Sequence, residues 1–419
     1  MSIVNDRYMK ILKNRKGTKL EWVLTLINAI FLILFTFLLQ YTDFIRFDEI
    51  GFFRAFAIVK HNILALDKKP ALDSITFLDV SKDLEIVGDT SIYTYGDVVV
   101  TNRKKLAEFF SILNKHPEEY KYVICDMSFD YPSPNDSILK AQIEIAKKVI
   151  VASTIKNNRI VGQLFNVPNG SVSYTLNKGK FVKLDIFDHG TIKTLPVKLV
   201  ENLTKDTFTC KYGLVFKNQK LTFNTIIPEL YYRPHDLVRD TNTNPTKLNR
   251  KANLFYLGEI LADTTEFFKT YLRGKYIIVG NFETDMHSTY LGKFPGSLIL
   301  FDTFLTLREQ SKPISWVWIF ILFMTFFLIS YFIFIHPEKS FEEFPKKVKI
   351  SFLRNFLKKY FSYVGILICL NVISYIYFGV FISLLYVASY LTLLKIFIEK
   401  RKHFIKSRNF VTFVKEEIS

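Results

Sequence analysis

The stretch YLRGKYIIVGNFETDMHSTYLGKFPG, residues 271–296, sets Glu283, Asp285 and His287 close together directly after an apolar run. Two carboxylates and an imidazole can hold a cation, pass protons or ligate a metal. Asp-x-His alone lacks a third ligand, so as a metal motif it is far less specific than His-Glu-x-x-His. Similar polar groups follow other apolar runs: Asp79 after ITFL, Asp126, Ser128 and Asp130 after YVIC, Ser153 after VIVA, Arg233 closing ELYYR, and Asn281 after KYIIVG. If these runs are parallel strands, their carboxyl ends share one edge, where α/β sheets bind ligands. One reading makes this edge a crevice for a small ligand or cation, with Asp79 and Asp126 as anionic anchors and Asp285 and His287 nearby. The other makes the same side chains helix caps and loop ties, since Asp and Ser at such turns satisfy free amides. Catalytic signatures are missing: there is no G-x-S-x-G, no cysteine beside a base and no phosphate loop ending in Lys-Ser/Thr. No cofactor is expected, and nothing requires an enzyme.

The elements that must position these residues alternate along the chain. Apolar strand-like runs at 75–80, 122–127, 148–153, 229–233 and 275–280 are interleaved with helical patterns at 102–114, 136–147 and around 257–262. Continuous apolar strands between helices predict an α/β fold with a mostly parallel sheet covered on both faces. Residues 159–223 change to polar alternation with turns at 168–170, 177–179 and 188–190, which predicts a β-rich insertion. The stretch 44–64 reads as a helix.

With 49% hydrophobic residues and 42 Phe, part of the chain is expected in lipid. Uncharged windows at 23–41 and 314–335 are each long enough for one crossing, and 361–394 suits a hairpin of two helices turning near residues 377–379, giving spans at 361–377 and 380–398. The net charge of +17 sits largely beside these windows, in the arm 1–22, the loop 336–360 and the tail 399–419. Basic flanks mark the cytoplasmic side. The expected topology therefore has four spans, both termini inside a plasma membrane and residues 42–312 outside. The first span reads as a retained anchor, because no small-residue cleavage site follows it. Topology accounts for the charge, so nucleic acid is not an expected partner. Asn28, Asn371 and Ser374 read as packing groups between spans, and Lys395 as a residue that snorkels to the interface. Cys125, within YKYVICDM, reads as a core thiol, with a bond to Cys210 left open.

In their order, ITFLDVSKDLE, YKYVICDMSFDYPSPNDSILKAQ, DHGTIKTLPV, ELYYRP and YLRGKYIIVGNFETDMHSTYLGKFPG resemble the type 2 CHASE domain, an extracellular sensory domain associated with cyclases and histidine kinases. The resemblance spans roughly residues 44–400. Two features depart from it: IYTYGDVVVTNRKKL replaces a Trp/Pro-rich stretch, and no output domain follows residue 398. The resemblance implies a receptor that detects an unidentified external ligand and signals through a separate cytoplasmic partner, with a homodimer allowed. The alternative is a non-enzymatic scaffold or subunit of an envelope complex.

Overall fold

The computed structural model describes residues 18–41, 49–64, 72–89, 96–156, 159–161, 164–172, 176–177, 180–239, 252–262, 268–310, 313–335 and 363–418. The arm up to residue 17, the start of the predicted 44–64 helix and the basic loop 336–360 lie outside these residues. The chain divides into a domain, Glu49–Pro313, and a helical unit made of the segments before and after it.

The domain is mixed α/β around a parallel sheet. Its strands are β1 (Ile75–Asp79), β4 (Tyr122–Cys125), β5 (Val149–Lys156), β6 (Asn169–Ser171), β7 (Leu254–Tyr256) and β8 (Tyr276–Gly280); a separate hairpin, β2 (Leu84–Asp89) with β3 (Gly96–Thr101), precedes β4. The spatial order is β7-β1-β8-β4-β5, with β6 parallel beside β5 and residues 159–161 antiparallel to the end of β5. β8, the last of these strands in sequence, lies at the centre: Asp79 is level with Gly280, and Val279 with Cys125.

Both faces of the sheet are covered, which is why its strands are apolar without alternation. On one face Leu78, Val123, Cys125, Val151, Ile277 and Val279 form a core with α2 (Arg103–Asn114), α3 (Asp136–Ile145) and α5 (Leu257–Ala262). On the other lie α4 (Leu195–Leu203) and α6 (Gly296–Gln310), where Phe301 meets Phe77 and Tyr276. Asn102 begins α2 by accepting the Lys105 N–H at 3.0 Å. Pro196 sits in the first turn of α4, where a missing N–H costs nothing. α6 is covered on all sides, and every residue from Leu298 through Leu307 is buried.

Several expectations change. Residues 229–233 form no strand. They are an irregular, mostly buried segment in which two backbone donors go to side chains of α6: Glu229 N–H to Thr306 Oγ1 at 2.8 Å and Tyr232 N–H to Asp302 Oδ1 at 3.4 Å. The insertion contains α4 as well as short strands, and 169–170 belong to β6 rather than to a turn. The turn at 188–190 is as expected, with His189 and Gly190 both at positive φ. The predicted loop after β8 is a hairpin, β9 (Met286–Thr289) and β10 (Gly292–Pro295), whose first strand also pairs with residues 180–181 of the insertion. α1 (Glu49–Ile58) runs into a π-helical turn, Val59–Ile63. Cys125 and Cys210 are both free.

In the helical unit, Lys19–Tyr41 and Trp316–Phe334 are long and apolar enough to cross a membrane. Tyr363–Phe378 is apolar but has only 16 residues, and the expected fourth span is the opening of a 35-residue helix, Leu384–Ile418, that continues through the predicted tail. Of the expected four crossings, two helices among the described residues meet the length and hydropathy requirement. Polar residues join the four helices. Asn28 donates to Ser330 at 2.8 Å and accepts from Tyr390 at 2.6 Å, while Trp318 Nε1 donates to Ser374 at 2.8 Å. Asn371 accepts the Ile382 N–H at 2.7 Å. Gly379, at φ +67°, ends the third helix where the turn was expected.

Candidate functional site

Asp126 follows β4 and falls on the α6 side of the sheet, because side chains alternate along a strand and Ile124 already faces that way. β8 ends beside it at Gly280. A Cβ on Gly280 would lie 2.8 Å from the Ser297 Cβ and closer still to its hydroxyl, so only glycine lets the first turn of α6 rest on the strand end. The chain reaches that turn through β9 and β10, and the hairpin's base is closed by Gly296 N–H donating to the Asp285 carbonyl at 2.9 Å. A side chain on Gly296 would meet the Asp285 carboxylate and, at 3.2 Å, His287 Nε2. The two glycines therefore make room for a pair at the mouth of the crevice: His287 Nε2 lies 2.8 Å from Asp285 Oδ1.

Between these elements lies a cleft of about 350 Å³ lined by Asp126, Met127, Ser128, Ala152, Ser153, Thr154, Val172, Asp285, His287, Gly296 and Leu300. Five of the ten predicted site residues meet here: Asp126, Ser128, Ser153, Asp285 and His287. β4 and β8 lead to helices on opposite faces of the sheet, so the cleft opens at a point where the connections diverge. Burial pushes the Asp126 carboxyl up to about 6; the fully buried Ser297 hydroxyl, turned toward it without well-formed hydrogen-bond geometry, holds it partly down. Asp285 raises it further and His287 lowers it. The hydrogen bond to Asp285 raises the His287 imidazole above its ordinary value.

The other five predicted residues lie elsewhere. Asp79 is a structural tie: Oδ1 accepts the N–H groups of Ser81 and Phe282 at 3.0 and 3.2 Å, and Oδ2 pairs with Arg239 at 2.5 Å. Glu283 belongs to the same network, 2.6 Å from Lys82 and 3.3 Å from Arg239, with Tyr256 donating to it; Lys82 above all holds its carboxyl below the usual range. Arg239 stacks on the Tyr256 ring at 3.7 Å. Asn281 closes its own turn by accepting the Thr284 N–H at 2.8 Å. Asp130 accepts from Thr154 at 3.3 Å, behind the cleft wall. Arg233 takes part in a short 3₁₀ turn, its N–H donating to Asp236 at 2.8 Å, and does not line the cleft. Among the described residues no group of three or more His, Cys, Asp or Glu side chains is placed to hold a metal ion.

No family model matches the chain, and no curated protein or solved structure matches it.

Sequence reasoning missed Gly296, Ser297, Thr154 and Arg239. The Pro-Gly step before an apolar helix was a usable signal for the first two. Nothing local marks Arg239, whose partner Asp79 is 160 residues away.

The contrast between Asp79 and Asp126 gives a test. Asp126 is partly desolvated, and no backbone N–H or cation among the described residues bonds its carboxylate. Its carboxyl rises in the fold from 3.8 to about 6, so its contribution to stability is complete below about pH 4 and is lost as pH rises through about 6. Asp126→Asn is expected to remove that loss and raise stability by about 1–3 kcal/mol at neutral pH. Thermal melting of the detergent-solubilised chain at about pH 5 and pH 8 measures it. A variant that melts well below wild type at both pH values would make Asp126 a structural tie like Asp79.

Proposed function

We propose that the chain is a membrane-anchored sensory receptor. The Glu49–Pro313 domain lies outside the plasma membrane, takes a small ligand in the cleft at Asp126, Asp285 and His287, and passes occupancy to a separate cytoplasmic partner. One observation carries the reading. The cleft is built onto the first turn of α6, and α6 ends at Gln310, a few residues before the apolar helix Trp316–Phe334 begins. Ligand contact at Gly296 is thus one helix from a membrane span along the chain. The resemblance to type 2 CHASE domains supports the same reading.

The proposal keeps the topology of four crossings, with Tyr363–Phe378 and the opening of Leu384–Ile418 as the third and fourth. Reporters at Lys251 and Gly379 should be accessible from outside, and reporters at Lys347 and after Ser419 only from inside. Cleavage at Lys347 by protease added to intact cells would overturn this topology.

A ligand shifts an equilibrium only by its differential affinity for two states. Because α6 is buried along most of its length, the two states must differ by a movement of α6 together with the β9–β10 hairpin. The test is a flexible Gly/Ser insertion of about one helical turn between Gln310 and Ser311 in the full chain. It should abolish the change in a co-purified cytoplasmic signalling enzyme's activity while leaving the cleft intact. Retained coupling would remove α6 from the route.

A scaffold is the second reading, favoured by the β2–β3 hairpin. Ile86 and Val99 are level across its two strands and are 70% and 58% exposed. A stoichiometric envelope complex that falls apart on Ile86→Glu, with no signalling enzyme present, would favour it.

A further inference from the structure

We infer that the cleft takes a small organic cation, an ammonium group carried on a short apolar body. The inference rests on the cleft being a ligand site and names what that site recognises.

The charges facing the cleft decide the sign. Its lining holds two carboxylates, Asp126 and Asp285, one imidazole, His287, and no Lys or Arg. His287 is spent on Asp285 at 2.8 Å, and these two neutralise each other when the imidazole is protonated. Asp126 then remains as a half-buried carboxylate that no lining residue bonds, His287 acting on it only through space. An anion entering the cleft would face both acids, and a carboxylate withdrawn from water without a partner is costly. An ammonium ion offsets that cost with a charge-assisted hydrogen bond.

The remaining polar groups suit the same guest. Ser153 is only 6% exposed, yet its hydroxyl, which lines the cleft, bonds none of the described residues. That hydroxyl reaches solvent and is available to accept from a guest. Thr154 also lines the cleft, its hydroxyl donating to Asp130 at 3.3 Å. An ammonium offers several donors and no acceptor, matching a carboxylate that no lining cation bonds. Met127, Ala152, Val172 and Leu300 supply the apolar part of the wall. At about 350 Å³ the cleft is at the small end of ligand sites. A bare metal ion fits poorly, because the described residues place no set of three ligands and the Nε2 of His287 is already engaged.

The test uses three probes of one shape, n-pentylammonium, n-pentanol and n-pentanoate, titrated calorimetrically into the detergent-solubilised full chain. Two variants accompany wild type: Asp126→Asn, and Ser128→Trp, which plugs the mouth from an exposed position. Saturable binding of pentylammonium is expected, weakened about tenfold or more by Asp126→Asn and abolished by Ser128→Trp, with pentanol weaker by a similar factor. Binding of pentanoate in preference to the amine, still abolished by Ser128→Trp, would overturn the ligand class and leave the cleft as the receptor site. Binding of none of the probes, or binding that survives Ser128→Trp, would overturn both.

Discussion

Lys60→Met is expected to destabilise the domain by roughly 3–5 kcal/mol, the cost of breaking a buried ion pair by removing one member. Lys60 Nζ lies 2.6 Å from Glu229 Oε1, and both side chains are almost wholly buried, at 5% and 2% exposure. Lys60 sits on the π-helical turn after α1, and Glu229 opens the segment clasped by α6. The pair therefore fastens the beginning of the domain to its end. Removing the lysine takes from the buried carboxylate the ion pair that fixes it beside Tyr290, whose hydroxyl donates to the Pro228 carbonyl at 2.8 Å. The double variant Lys60→Met, Glu229→Leu should recover more than half of the loss, since a well-packed apolar pair of similar volume is often as stable as a buried ion pair. Denaturant unfolding of the full chain measures both. A single variant within about 0.5 kcal/mol of wild type would mean that the charge finds water and the fastening is elsewhere.

Gly280→Ala is the second large effect expected. The new methyl would overlap the hydroxyl and Cβ of Ser297, which is fully buried at the start of α6 and cannot swing clear. Either β8 or the first turn of α6 must move, at about 2–3 kcal/mol for overpacking of this kind. Because Gly280 is level with Asp79 and neighbours Asp126, the displacement should also open the cleft and weaken probe binding. Adding Ser297→Gly removes both clashing atoms and should restore most of the stability. If Gly280→Ala melts like wild type, the helix is not seated on the strand end and the cleft loses its floor.

The parallel sheet was legible because its strands are buried on both faces and so read as unbroken apolar runs. The helices 103–114 and 136–145 were legible from their period. Residues 229–233 look equally strand-like, and there the pattern misled: Asp302 and Thr306 take the donors that a neighbouring strand would have taken. The β2–β3 hairpin was missed because its apolar residues fall on both faces, Ile86 and Val99 exposed and Val87 buried, and Gly88 and Gly96 interrupt it. Half of the site was readable from strand ends alone. Distinguishing Asp79 from Asp126 was not, since the difference is two backbone N–H groups and an arginine, two of the three contributed from far along the chain.

The position of β8 also constrains how a nascent chain can reach this fold. β1 and β4 are separated in the sheet by a strand synthesised some two hundred residues after β1. Until Gly280 has left the ribosome, the earlier strands can form only fragments with open edges, which invite pairing with other chains. The domain is thus committed to late closure, and a stalled or shortened product is a candidate for chaperone capture rather than for a smaller working version of the same sheet.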